Sequence, residues 1–145
     1  MLADVNPDPL GVRYCSPAVP NAELGRPGWI TAFGSKAVVD NNFHLTAFGV
    51  TSQQFGLFLN APAAGFIPNP AGSNGHLCLG GAIGRFPVSN TGGFRTARVQ
   101  VDLNAQPRPA GPTPVAAGET WYYQFWYREG AGGSNFTDAI GVTFE

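Results

Sequence analysis

The stretch "ETWYYQFWYRE", residues 119–129, carries six aromatic residues in eleven positions. Aromatic side chains favour strands, and successive side chains of a strand point to opposite faces. Trp121, Tyr123, Phe125 and Tyr127 therefore share one face, and Tyr122, Gln124, Trp126 and Arg128 the other. A face made only of rings has to be buried, each ring removing about 150–250 Å² from water. That requires a second layer of structure opposite this strand. The other face mixes rings, an amide and a guanidinium. It serves either as a stacking platform for a ligand or as a second packing surface.

The rest of the chain supplies the partner strands. In "FRTARVQVDL" (94–103), Ala97, Val99, Val101 and Leu103 alternate with Thr96, Arg98, Gln100 and Asp102. That period of two describes a half-buried antiparallel strand. "GWITAFGS" (28–35), "FHLTAFGV" (43–50), "QFGLFLN" (54–60), "HLCLGGAIGRF" (76–86) and "FTDAIGVTF" (136–144) are further strands. Ile140, Val142 and Phe144 fall in line in the last, and Phe55, Leu57 and Leu59 share a face in "QFGLFLN". "NAQPRPAGPTPVAAG" (104–118) is too long for a hairpin turn and suits a Greek-key crossover. No window has a helical period with caps. Seven to nine short strands at this spacing predict an all-β, two-layer antiparallel β-sandwich of immunoglobulin-like or jelly-roll type. Residues 1–11 read as a Pro/Asp/Asn-rich lead-in and 12–145 as one domain.

Only 12% of the 145 residues are charged, the net charge is −1, and Lys36 is the single lysine. Such a surface offers no electrostatic footprint for nucleic acid or an anionic membrane. No run approaches transmembrane length. Cys15 and Cys78, in a lysine-poor and turn-rich β chain, read as one disulfide of an exported protein, the alternative being two buried free thiols. "MLADVNPDPLGVRYC" lacks the apolar core of a signal peptide, which suggests a module of a longer secreted precursor.

Catalytic constellations are weak, and no cofactor or metal is expected. Ser73, His76 and Asp40 can be assembled only on paper, without a nucleophile elbow. His44 and His76 lack a third ligand at metal spacing. Asp102 and Asp138 are the acids best placed on strands, each expected to satisfy an arginine. "NFT" (135–137) is a glycosylation sequon by pattern alone.

Ligand binding is a stronger expectation than catalysis, although plain packing is the heavier reading of this strand face. Tyr122 and Trp126 are four apart on one strand face, about 13 Å by strand rise, a spacing that reaches alternate sugars of an extended glycan. Gln124 between them would bond hydroxyls, Arg128 extends the polar set, and Trp29 is a second candidate ring. The competing expectation covers Trp126 with the 104–118 connection and places Arg128 in a salt bridge.

"VRYCSPAVPN", "FGLFL…GSNGHLCLGGAIGRF" and "AGETWYYQFWYRE…GSNFTDAIGVTF" resemble a domain near the C-termini of large secreted proteins of planctomycetes and similar environmental bacteria. There the pieces read approximately YCSPAVPNSTG, LCLGG-IGR and GETWxFQxWYRD…SNFTDGLxVTF. The likeness runs from about Val12 to Phe144, with departures at Tyr122 and Glu129; Trp121, Gln124, Trp126, Tyr127 and Arg128 match. It implies an extracellular β-domain appended to other modules, with no settled activity. Two functions follow as expectations. One is a non-catalytic module binding a polysaccharide or cell-surface glycan. The other is a structural, adhesive or sorting domain with self-association, since a surface with little lysine leaves strand edges poorly defended.

Overall fold

The computed structural model describes residues 10–145. Eleven strands follow in order: β1 (Val12–Tyr14), β2 (Trp29–Gly34), β3 (Phe43–Phe48), β4 (Phe55–Ala61), β5 (Ala63–Pro68), β6 (His76–Gly80), β7 (Gly84–Arg85), β8 (Ser89–Asn90), β9 (Thr96–Val101), β10 (Thr120–Arg128) and β11 (Ser134–Thr143). Helical structure among the described residues is limited to two three-residue 3-10 turns, Val38–Asp40 and Pro70–Gly72. The larger sheet runs β1-β11-β10-β4-β7, with β8 pairing the other end of β4. The smaller runs β2-β3-β9, and β5 and β6 form a separate hairpin. Every pairing is antiparallel.

The two sheets pack face to face as the aromatic period demands. Tyr123, Phe125 and Tyr127 are wholly buried, together with Ile30, Phe43 and Leu45 from the smaller sheet. Phe43 stands 5.8 Å from the Tyr123 ring and 5.0 Å from Phe144, and Phe58 lies 4.6 Å from Phe125. Trp121 is half-buried at the rim of this core. On β9, Ala97 and Val101 point inward while Arg98 and Gln100 face water. Gly56 lies beneath Phe125, where a Cβ would come within 2.5 Å of the ring.

β11 departs from simple alternation. Gln124 pairs with Ala139, but Trp126 pairs with Phe136, so β11 carries an extra residue between them. This bulge changes the parity of the strand. Ile140 and Val142 enter the inter-sheet core, while Phe136 joins the opposite face. The Thr137 hydroxyl accepts from the Phe125 N–H at 3.1 Å and replaces the interrupted ladder bond.

The outer face of the larger sheet is covered as well. The β5–β6 hairpin brings Leu77 and Leu79 against Leu59, Ala61 and Phe136, with Tyr122 and Trp126 packed on the cluster. A disulfide joins Cys15 to Cys78, tying this hairpin to the segment after β1. Leu57 and Leu59 face this second layer, and Phe55, on the same side, remains 57% exposed.

The 102–119 connection crosses from β9 in one sheet to β10 in the other. Gln106 and Thr113 exchange two backbone bonds across it. The Gln106 Oε1 accepts from the Tyr123 hydroxyl at 3.0 Å and from Asn60 Nδ2 at 3.1 Å. Arg108 donates to Asn60 Oδ1 and to the Ala82 carbonyl, and its guanidinium lies 4.8 Å from the Trp121 ring.

Candidate functional site

The outward face of β10 is largely a packing surface. Gln124 is fully buried. Its Oε1 accepts from Cys78 N, and its Nε2 donates to the His76 and Thr137 carbonyls. The expected role for Gln124 in bonding a ligand is therefore corrected: its amide binds the β5–β6 hairpin to the larger sheet. Tyr122 is half-buried, edge-on to Tyr14 at 5.9 Å, and lies over Gly141, where a Cβ would come within 2.9 Å of the ring. Trp126 is half-buried by the hairpin side rather than by the 104–118 connection. It walls an apolar groove of about 310 Å³ with Leu57, Leu77, Ile83 and Phe136. Arg128 is exposed and lies over the Trp126 ring at 5.7 Å; among the described residues it has no ion-pair partner. Tyr122 and Trp126 do share one face, but the hairpin occupies the space between them.

Trp29 has a different setting. It opens β2, an edge strand of the smaller sheet among the described residues, and is 38% exposed. Ile30 and Ala32 turn into the core, so Trp29, Thr31 and Phe33 turn outward. A groove of about 340 Å³ lies beside the indole, lined also by Arg13, Ser16, Pro17, Pro27 and Asp138. The Asp138 carboxylate forms its floor and is 1% exposed. Its Oδ1 accepts from Ile30 N at 2.9 Å, and its Oδ2 from Arg13 Nε at 3.0 Å and Ser16 Oγ at 2.6 Å. Burial pushes this carboxyl above its ordinary range, opposed by the bonds from Ser16, Ile30 and Arg13. Arg13 lies over the indole at 5.1 Å. Its Nε is committed to Asp138, whereas its terminal amino groups donate to no acceptor among the described residues. The groove thus sets a partly exposed indole, stacked on Phe48 and overlaid by Arg13, beside the Ser16 hydroxyl that donates to Asp138.

The rest of this outward face repeats the theme. Trp29 pairs with Phe48 across the strands, the rings stacked at 4.7 Å. Phe33 pairs with His44, stacked at 4.8 Å, and Arg98 reaches over Phe33 at 4.9 Å. Thr46 lies between the two ring pairs, directly opposite Arg98. Its Oγ1 is buried and has no hydrogen-bond partner among the described residues.

The expected acid–arginine pairing holds for Asp138 with Arg13. It fails for Asp102, which accepts from Asn41 Nδ2 and Asn104 N. Ser73, His76 and Asp40 are not joined by hydrogen bonds. Ser73 donates to the Ser134 carbonyl, His76 accepts from Asn69 N, and Asp40 accepts from Ser35. His44 lies on β3 and His76 on β6, in different sheets. No group of three potential metal ligands occurs among the described residues. The sequon residue Asn135 is wholly buried, its amide donating to Val19 O and Glu129. No helix among the described residues is long and apolar enough to cross a membrane.

No family model, curated protein or solved structure matches this chain. Sequence reasoning passed over Phe33, Arg13, Arg98 and Thr46. The alternation of "WITAF" against "HLTAF" held the signal for the first and last: each strand turns an aromatic or threonine outward at every second position. Arg13 joins them only through tertiary contact.

Proposed function

We propose that this protein is a non-catalytic extracellular module that binds carbohydrate on the outward face of β2-β3-β9 and in the groove beside Trp29. One observation carries the reading. The Trp29 indole is 38% exposed at the rim of a groove of about 340 Å³ whose other walls present the Arg13 guanidinium and the Ser16 hydroxyl. The Trp126 groove is a poorer fit, because its walls are chiefly aliphatic, with Arg85 their one charged residue. The buried disulfide suits an oxidising compartment.

Affinity electrophoresis against neutral and acidic polysaccharides tests the reading, with Trp29→Ala and Trp126→Ala beside the parent. Retardation that Trp29→Ala abolishes while keeping its fold is the expected result. Trp126→Ala is expected to lower stability and leave retardation in place. Absence of retardation by every glycan would defeat the proposal.

A structural or adhesive role is the second reading. Phe94 is 94% exposed, Phe66 60% and Ile67 49%, the last two on β5, an uncharged edge strand that pairs only with β6 among the described residues. Self-association would appear as mass rising with concentration in light scattering, with no effect of glycans.

A further inference from the structure

We infer that the ligand of the β2-β3-β9 face is an acidic polysaccharide, one whose sugar rings carry carboxylates. This rests on the carbohydrate-binding reading and names its substrate class. The chain has nine acids and eight lysines and arginines, yet the strand positions of this face hold no carboxylate. Its outward residues on β2, β3 and β9 are aromatic, hydroxyl, amide, imidazole or guanidinium in character. Asp102 lies just beyond the end of β9 and is engaged with Asn41 and Asn104.

The cations on this face are built in rather than scattered. Arg98 is exposed, lies on the Phe33 ring, and pairs with no carboxylate among the described residues. A guanidinium drawn to a ring by its charge still presents N–H donors that match a carboxylate with two parallel bonds. Arg13, from β1 of the larger sheet, also lies over Trp29; its Nε is paired with the buried Asp138, and its terminal amino groups donate to no acceptor among the described residues. Trp29 and Phe33 are four residues apart on β2, about 13 Å by strand rise. A chain lying along the strand thus meets two ring-and-guanidinium units in succession. Between them lies Thr46, whose hydroxyl has no partner among the described residues and is buried below the surface such a chain would follow.

The test compares polygalacturonate with neutral xylan and β-glucan, and with a single-stranded oligonucleotide, by affinity electrophoresis and calorimetry at low and high salt. Polygalacturonate is expected to bind most tightly, with affinity falling as salt rises. Arg98→Gln is expected to weaken it about tenfold, the equivalent of about 1.4 kcal/mol, and Arg98→Lys to fail to restore it, since lysine lacks the planar fork. Arg98 is exposed, so both variants should melt with the parent, and circular dichroism checks this. Neutral glycans bound as tightly as polygalacturonate, with Arg98→Gln silent, would overturn this inference and leave carbohydrate binding standing. Equal binding of the oligonucleotide would also overturn it, as indiscriminate attraction of polyanions. Binding of no glycan at all would defeat the underlying reading.

Discussion

Asp138→Ala is the substitution that most directly probes how the two sheets are joined. The carboxylate rises from β11 in the larger sheet and takes the N–H of Ile30 on β2, the edge strand of the facing sheet. It also holds Arg13 Nε and Ser16 Oγ. Removing it leaves the Ile30 N–H buried and unpaired, worth about 1–3 kcal/mol. It also strands the Arg13 guanidinium, whose side chain is only 18% exposed; breaking a buried pair from one side costs about 3–5 kcal/mol. The two losses stem from one carboxylate and do not add. A net destabilisation of about 4 kcal/mol is expected, a large part of the 5–15 kcal/mol that holds a typical domain together. Asp138→Asn keeps a carbonyl oxygen for Ile30 but turns an amide donor toward Arg13 or Ser16, so about half that loss is expected. Urea unfolding followed by tryptophan fluorescence measures both. A double-mutant cycle with Arg13→Met separates the ion pair from the Ile30 bond. If Asp138→Ala costs less than about 1 kcal/mol at an unchanged m-value, the carboxylate does not clamp the sheets and the argument is wrong.

The inter-sheet core and the buried phenols give two further expectations. Tyr123→Ala and Phe125→Ala should each cost about 3–5 kcal/mol, and a loss under about 1 kcal/mol in urea titration would mean the β10 faces are reversed. Burial pushes the hydroxyls of Tyr14, Tyr123 and Tyr127 above the ordinary phenol range. The unfolded chain then loses these protons first, so stability is intact below about pH 10 and falls above it. Phenolate absorbance of the folded protein should show these three groups silent near pH 10, and Tyr14, Tyr123 and Tyr127 titrating there would refute the burial.

The sandwich was legible because its strands obey strict alternation. β9 and β10 each have a face that is apolar at every second residue, and a sheet buried on that side leaves no other register. Two features broke the reading elsewhere. The extra residue in β11 moved Phe136 away from Ile140 and Val142, although all three have even numbers; a bulge leaves no mark in a sequence whose apolar residues fit either parity. The segment "AAGFIP" gave no strand signal, being short and ending in proline, and yet as β5 it completes the hairpin that covers Trp126. Without that lid, Gln124 looked available to a ligand when its amide was spent on the lid itself. The candidate site was half visible. Trp29 could be picked out as a ring, but Arg13 and Asp138 come from strands more than a hundred residues apart and meet it only in the folded chain.

The position of the Cys15–Cys78 bond governs how the molecule would carry tension. Val12 pairs with Gly141 and Tyr14 with Ala139, so β1 enters beside the point where β11 leaves. A pull on the two ends opens that pair like a zipper, one rung at a time, and reaches Cys15 after three residues. From there the covalent route jumps to Cys78, and residues 16–77, which include Trp29 and the ring pairs of β2 and β3, lie off the loaded path.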